Sequence, residues 1–333
     1  VRAFITGITG FAGAHLAEWL IAQGDSVAGS NSRGAWPAEL AASPARQAPL
    51  MAWDLAETAQ RAASGEQHVV SAQTGDAIRE FGPEVIFHLA ALSVPAECGE
   101  QTPTPRALAI NVAGTKAVLH LAATLPNRPR IVFVSSGHVY GSRTPSERWV
   151  AEDSPLRPAS AYAQTKCAAE REVLDAVQHG HVDAVIARAF KHAGPRQDAR
   201  MMLTEWCRQF ARGCSPVEVR CLDSHLDLTD VRDVVRAYRL LALHGESGGI
   251  YNVGSGESMR TGDLFEQLRA IADPTRPYLE TAPGVRWETI AVIDQIVAAT
   301  GWRPAIPLET TLRDTLRHEQ EHQAAGRSSE PRQ

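Results

Sequence analysis

The sequence predicts an α/β chain in which a doubly wound parallel sheet carries a smaller, mixed α/β C-terminal lobe. Three observations predict it. Apolar strand-like runs alternate with helical stretches through the first half, the pattern of βαβ units buried on both faces. At 333 residues the chain is long enough for two lobes or one large domain. After Arg188 the alternation gives way to short, mixed elements.

Taken in order, residues 1–6 read as a strand, 14–23 as a helix and 26–29 as a short strand. Residues 33–47 form a Pro/Ala-rich loop without periodicity, and a third strand is expected before Asp54. Residues 77–81 read as helix, 84–89 as strand, 115–125 as helix, 130–135 as strand, 161–177 as helix and 182–187 as strand. The stretch 191–200 is polar and turn-rich. Then 201–212 reads as helix, 216–221 as strand, 230–244 as helix and 250–253 as strand. Residues 261–272 and 290–300 read as helices, followed by a turn at Gly301-Trp302-Arg303-Pro304 and a last helix from Leu308. The expected division is 1–187 with 230–253 for the sheet, and 188–229 with 254–320 for the lobe. Residues 321–333 are expected to be a disordered tail, because the stretch from Ala324 has few apolar residues.

Composition excludes several functions. With 44% apolar and 21% charged residues and a net charge of −5, the chain is ordinary for a globular enzyme. A sequence pI near 6.2 argues against a broad basic face for nucleic acid. No uninterrupted apolar run reaches the roughly 18 residues that span a bilayer, so no membrane partner is expected. The chain opens directly on a strand-like run, and no signal peptide is expected. Five cysteines without a CxxC pair suggest a reducing, cytoplasmic setting and argue against a zinc site. Twelve histidines are scattered without HExxH, and no metal is expected.

The first strand runs into Gly7-Ile8-Thr9-Gly10-Phe11-Ala12-Gly13 and then a helix. In this GxxGxxG spacing the first glycine permits a tight turn, the second lets main chain approach a pyrophosphate, and the third lets helix pack on strand. The helix N-terminus offers free N–H groups and partial positive charge. The expectation is a Rossmann-like, dinucleotide-binding half. The second strand ends at Gly29-Ser30-Asn31-Ser32-Arg33, without the acid that would hold ribose hydroxyls and favour NAD. Ser30 and Arg33 suit a 2′-phosphate, hence NADP, with NAD as the alternative; Arg33 as a solvated loop residue is the plainer reading. Asp54, beside Leu55, is placed to bond an adenine amino group.

Tyr162-Ala163-Gln164-Thr165-Lys166 is a YxxxK motif, and the i, i+4 spacing sets both side chains on one helix face. A free phenol has a pKa near ~10 and is a poor base at pH 7. A nearby ammonium stabilises phenolate. Ser135 and Ser136 end the preceding strand, where the carboxyl ends of a parallel sheet bind ligand. Ser136 is the better placed to donate to a sugar oxygen.

These residues resemble an extended short-chain dehydrogenase/reductase of the nucleotide-sugar epimerase/dehydratase group. The resemblance covers roughly residues 1–315. It rests on the glycine turn, His88-Leu89-Ala90-Ala91, Asn111-Val112-Ala113-Gly114-Thr115, Val134-Ser135-Ser136-Gly137-His138-Val139-Tyr140-Gly141, Tyr162 with Lys166, and Arg188-Ala189-Phe190-Lys191-His192-Ala193-Gly194-Pro195. Thr229-Asp230-Val231-Arg232-Asp233, Tyr251-Asn252-Val253-Gly254 and the Gly301–Pro304 turn extend it. Within the group it looks most like GDP-4-keto-6-deoxymannose reductases and GDP-mannose dehydratases.

The resemblance implies Ser136, Tyr162 and Lys166 as the catalytic set. It implies Gly7, Gly10, Phe11, Ala12, Gly13, Ser30, Arg33, Asp54, Leu55, Leu89, Ala90, Ala91, Asn111, Ser135 and His192 around the cofactor, with Tyr162 and Lys166. The substrate is expected to be a nucleoside-diphosphate sugar, met by Ser93, Ser136, Gly137, His138, Lys191, Arg196 and Arg286. The expected reaction is reduction of a 4-keto-6-deoxy sugar by NADPH. The alternatives are an epimerase or dehydratase with tightly held NAD+, and a non-catalytic dinucleotide-binding protein. Helices 108–125 and 161–177 match those that pair across a two-fold axis in this family, so a homodimer is expected.

Three departures bear on substrate. The acids that 4,6-dehydratases carry after the active-site hydroxyl are here Gly137 and His138, which disfavours that chemistry. His138 is either a proton shuttle or a supporting hydrogen-bonding histidine. A family asparagine on the diphosphate is Lys191, and a family arginine is Leu226, ahead of Asp227. Either Lys191, Arg196 or Arg286 supplies the lost cation, or the substrate is not a usual nucleotide sugar. Lys191 paired with a nearby acid is the competing reading of that residue.

Overall fold

The computed structural model describes residues 1–63 and 70–328. Seven strands form one sheet: β1 (Arg2–Thr6), β2 (Ser26–Asn31), β3 (Leu50–Ala52), β4 (Val85–His88), β5 (Arg130–Ser136), β6 (Ala184–Ala189) and β7 (Ile250–Val253). Their order is β3-β2-β1-β4-β5-β6-β7, and every pairing is parallel. The order reverses between β1 and β4, the topological switch point at which such sheets bind ligand.

The ten main helices are α1 (Phe11–Ala22), α2 (Leu55–Ala63), α3 (Ala72–Phe81), α4 (Gly114–Thr124), α5 (Ala161–Gln178), α6 (Met202–Arg212), α7 (Val231–His244), α8 (Thr261–Ala272), α9 (Asp294–Thr300) and α10 (Leu308–Ser328). Side chains alternate across each strand. Ala3 and Ile5 pack with Leu16 and Leu20 of α1 and Val234 and Leu241 of α7. Phe4 faces the other way, into a core with Ile78 of α3, Val118 of α4 and Val173 of α5. Both faces of the sheet are thus covered, and each fully buried Ile, Leu or Phe contributes about 1.5–3 kcal/mol.

A third core lies in the C-terminal part. Trp206 and Phe210 of α6 meet Phe265 and Leu268 of α8 and Leu312 of α10. The Gly301–Pro304 turn is anchored to α7: Trp302 Nε1 donates to the Asp233 carbonyl at 2.9 Å, while the Asp233 carboxylate accepts from the amides of Ala305 and Ile306. Asp227, buried, accepts from the amides of Ser255, Gly256 and Ala291, which joins three lobe segments at one carboxylate.

Several boundaries differ from the sequence reading. Residues 290–300 do not form one helix: Ile290–Ala291 pair parallel with Trp149–Val150, and α9 starts at Asp294. The turn-rich stretch after Arg188 contains a strand, Lys191–Ala193, paired with Leu228–Asp230. Residues 321–328 continue α10 as helix, where the sequence reading expects a disordered tail. The remaining tail residues, 329–333, lie outside the described residues. The helical run Pro105–Thr124 reaches a mean hydropathy of 1.3 over an 18-residue window, although no uninterrupted apolar run is that long; half of that window is buried against the rest of the protein.

Candidate active site

A cleft of about 850 Å³ opens over the carboxyl ends of the strands. Its floor is the glycine turn. Gly7 has φ +71°, and its amide donates to the Ser30 carbonyl at 2.8 Å, locking β1 to β2. A Cβ on Gly13 would lie 2.2 Å from the Gly7 carbonyl oxygen, so helix–strand packing demands that glycine. A Cβ on Gly10 would meet only the Gly7 oxygen, at 3.2 Å. Protein packing alone leaves room there, on the side that faces the cleft. Gly10 N-caps α1 without any side-chain cap, and no acid occupies the first turn. The N–H groups of Phe11, Ala12 and Gly13 therefore face the cleft with the positive end of the helix dipole behind them. These features fit the pyrophosphate of a nicotinamide dinucleotide.

Ser30, Asp54, Leu55, Leu89, Ala90 and Ala91 line the same cleft. Asp54 caps α2 through Oδ1, which accepts from the Ala56 amide at 2.8 Å. Arg33 and Asn111 fall elsewhere, while Asn31 lines the cleft. Arg33 is exposed and is not part of the wall; its amide bonds to Asn31 Oδ1 within the loop. Asn31 spends its amide group on Thr9 Oγ1 and the Ala35 carbonyl, so it builds the loop. Asn111 lies behind the wall, 2% exposed, donating to the Leu92 carbonyl and Thr165 Oγ1 and accepting from the Leu92 amide. It positions the Leu89–Leu92 segment instead of facing the cleft.

Ser136, Tyr162 and Lys166 converge at the next part of the wall. Ser160 N-caps α5 by accepting from the Ala163 amide, which sets Tyr162 on the first turn. Lys166 Nζ donates to the Val134 carbonyl at 2.8 Å and lies 5.1 Å from the Phe133 ring centroid. Burial pushes the Tyr162 phenol up to about 12, while its hydrogen bond with Ser136 works the other way. The sequence reading expected the ammonium to lower it. In the folded chain burial is the largest influence, and the phenol holds its proton at neutral pH. Burial lowers Lys166 to about 8, with Glu170 acting against the fall. Ser135 lines the cleft, but its hydroxyl donates to the Glu170 carboxylate.

His138 opens onto the cleft, its ring centroid 6.0 Å from that of Tyr162 in an edge-to-face arrangement. Burial, then the Lys191 charge, holds its pKa below the ordinary range. Gly137 lies outside the wall: a Cβ there would meet the Phe190 ring at 3.0 Å, so the glycine serves packing. His192 lines the cleft, with Nδ1 2.9 Å from the Phe190 carbonyl oxygen and its ring stacked on Phe11 at 5.8 Å. Ser93 lines the cleft.

The expected phosphate cations are placed differently. Lys191 reaches the cleft but pairs with Glu288 at 2.7 Å. Arg196 does not line it: its guanidinium bonds both Glu18 oxygens, at 2.7 and 2.6 Å, and ties the lobe to α1. Arg286 is exposed on the strand Val285–Trp287, outside the cleft wall. Leu226 is buried. The sequence reading missed Arg106, Met201 and Met202, all on the wall. The two methionines stand at the start of α6, a detectable place; nothing local marks Arg106.

Fold and site together define a dinucleotide-dependent enzyme. The chain belongs to the NAD dependent epimerase/dehydratase family, whose sequence pattern matches residues 3–254. It is 30% identical over 331 residues to a GDP-6-deoxy-D-mannose reductase of Pseudomonas aeruginosa, covering 95% of this chain and 96% of the relative. The solved structure of the Pseudomonas aeruginosa protein RMD, complexed with NADPH, superposes with a TM-score of 0.76 at 27% identity, over 96% of this chain and 99% of that one. A Thermus thermophilus UDP-glucose 4-epimerase in complex with NAD superposes with a TM-score of 0.80 at 25% identity, over 96% and 99% of the two chains.

Proposed function

We propose that this protein is an NADPH-dependent reductase of a 4-keto-6-deoxy sugar carried on a nucleoside diphosphate. The observation that carries the reading is the convergence of Ser136, Tyr162 and Lys166 on the cleft wall, with no carboxylate at 137 or 138. When bound, the cofactor supplies hydride to the keto carbon. Tyr162 donates its proton to the oxygen, and Ser136 orients that oxygen. Lys166 keeps its charge beside the phenol as the proton leaves. The N–H groups at the start of α1 take the dinucleotide pyrophosphate, and Asp54 and Leu55 border its adenine end. The sheet with 230–253 forms the dinucleotide half, and 188–229 with 254–320 the substrate lobe. The similarity to a GDP-6-deoxy-D-mannose reductase supports a GDP sugar.

The assembly we propose is a cytoplasmic homodimer through α4 and α5. Leu108, at the start of this surface, is 44% exposed, and Lys116 pairs with Glu172 across the two helices. Sedimentation giving only a 36.0 kDa species at micromolar concentration rejects the dimer. The test of function is purified protein with GDP-4-keto-6-deoxymannose: NADPH is consumed in proportion to a 6-deoxyhexose product, and the released cofactor is NADP(H). Retained NAD+, with no net consumption of added NADPH, would instead mark the epimerase chemistry of the NAD-bound relative.

A further inference from the structure

Directly behind the reacting hydroxyls lies a buried charge network that the reaction itself does not use. Arg188, one residue before the end of β6, and Glu170, on α5, have side chains 3% exposed. They are joined twice: Nε to Oε1 at 3.0 Å and Nη2 to Oε2 at 2.8 Å. Ser135 Oγ donates to the same Oε1. Arg188 Nη1 donates to the Tyr140 hydroxyl and to the Glu152 carbonyl, each at 2.9 Å. The Tyr140 hydroxyl donates in turn to Asn252 Oδ1 at 2.7 Å. A buried ion pair is weak evidence for stability, since apolar replacements often do as well. Its position gives it a different use.

Glu170 follows Lys166 by four residues, one turn along the buried face of α5. The titratable groups around Lys166 come from three elements: Glu170 on α5, with Tyr162 one turn earlier on the same helix, His88 on β4, and Cys98 on the short helix Pro95–Cys98. Arg188 stands behind Glu170. Burial keeps the Cys98 thiol and the Tyr162 phenol protonated and the His88 imidazole neutral. Glu170 is therefore the anion among the groups facing this ammonium. Both of its oxygens are committed to Arg188 and Ser135, so it acts on Lys166 through its field without drawing Nζ out of place. Of the three ammonium donors, one goes to Val134 and two stay available to the cleft.

We propose that Glu170 is a positioning residue for proton transfer: held by Arg188 and Ser135, its carboxylate keeps the Lys166 ammonium charged and aimed at the cleft. The role of Lys166 beside Tyr162 rests on the function proposed above; the electrostatic claim does not.

The chain contains three lysines, Lys116, Lys166 and Lys191, so lysine labelled with carbon-13 at Cε gives a spectrum simple enough to assign with Lys166→Arg. In the intact protein the Lys166 signal titrates near pH 8. In Glu170→Gln its midpoint falls by about one pH unit or more, the reach of a single close charge, while Lys116 and Lys191 stay put. The alkaline limb of kcat moves down in step. Glu170→Gln/Arg188→Gln, which also removes the repulsion of an unpaired arginine, keeps the midpoint below wild type. If Glu170→Gln does not fold, Glu170→Asp, with its carboxylate drawn back, shows a smaller shift of the same sign. An unmoved Lys166 midpoint in whichever variant folds overturns the proposal. A shifted midpoint with unaltered turnover and pH profile keeps the electrostatics and overturns the role assigned to Lys166 in the reaction.

Discussion

Main chain builds the sheet side of the cleft, whereas the charged side chains toward the lobe are spent on partners. On the sheet side, amides of the glycine turn and the start of α1 face the ligand space, and the key positions matter by lacking a Cβ. On the lobe side, Lys191 is spent on Glu288, and Arg196 on Glu18 of α1. A wall of amides tolerates little change in shape but carries no side-chain charge to lose. Among paired charges, each truncation leaves a partner behind. Tyr162 and Lys166 stand at the seam, where the ligand meets both walls.

Removing the proposed proton donor at the seam gives the largest effect. Tyr162→Phe lowers kcat/KM by at least ~100-fold, the low end for general acid–base catalysis, with unchanged melting temperature and cofactor affinity by fluorescence titration. Near-normal turnover rejects the assignment.

The sheet wall is sharpened by contrasting two glycines. Gly13→Ala sets a Cβ against the Gly7 oxygen and costs about 1–3 kcal/mol or more by overpacking. Gly10→Ala costs the fold only ~0.5–1 kcal/mol, the ordinary N-cap difference, yet weakens the dinucleotide. Urea unfolding and cofactor titration on both variants check this; equal stability losses erase the contrast.

Acid probes each side through a buried neutral histidine. His88, between Thr6 and Thr115 in the sheet, is held at about 3, and His15, under the lobe contact at Arg196, at about 4. Both values lie below that of the unfolded chain. As pH falls from about 6.5, the unfolded state takes up protons that the native state refuses, so stability drops by up to ~1.4 kcal/mol per pH unit for each. Above that pH the contribution is constant. His88→Gln, compared with wild type in urea at pH 7 and pH 5, loses one histidine's share of the slope. An identical slope in both proteins refutes it.

The smallest effect is expected at the lobe wall. Because Lys191 already pairs with Glu288 and both side chains are more than a third exposed, Lys191→Met changes KM for the nucleotide sugar by less than about fivefold, within the ~1 kcal/mol of a surface pair. A larger rise in KM, with kcat unchanged, shows that the lysine leaves Glu288 to grip the diphosphate.

Local geometry explains what was readable. The α1 turn needs only a strand, three glycines at set spacing and a helix, all inside residues 2–22. Tyr162 and Lys166 share a face because four residues make about one helical turn. The sheet alternation was legible for the same reason, although 290–300 misled: Ile290 and Ala291 take strand geometry from a partner at Trp149–Val150, far off in the chain.

The sequence by itself determined the parallel sheet, the glycine turn, the Ser136–Tyr162–Lys166 set and the absence of an acid at 137 and 138. Only the tertiary structure decided what each charge meets. Arg196 finds Glu18 across 178 positions, and Lys191 finds Glu288 across 97. Asn111 turns from the cleft to hold the Leu89–Leu92 segment. Spacing along one element reports its own turn or pleat, whereas the partner of a long, flexible side chain depends on which distant element packs beside it. An isolated lysine or arginine therefore carries no local mark of whether its charge is free for a ligand.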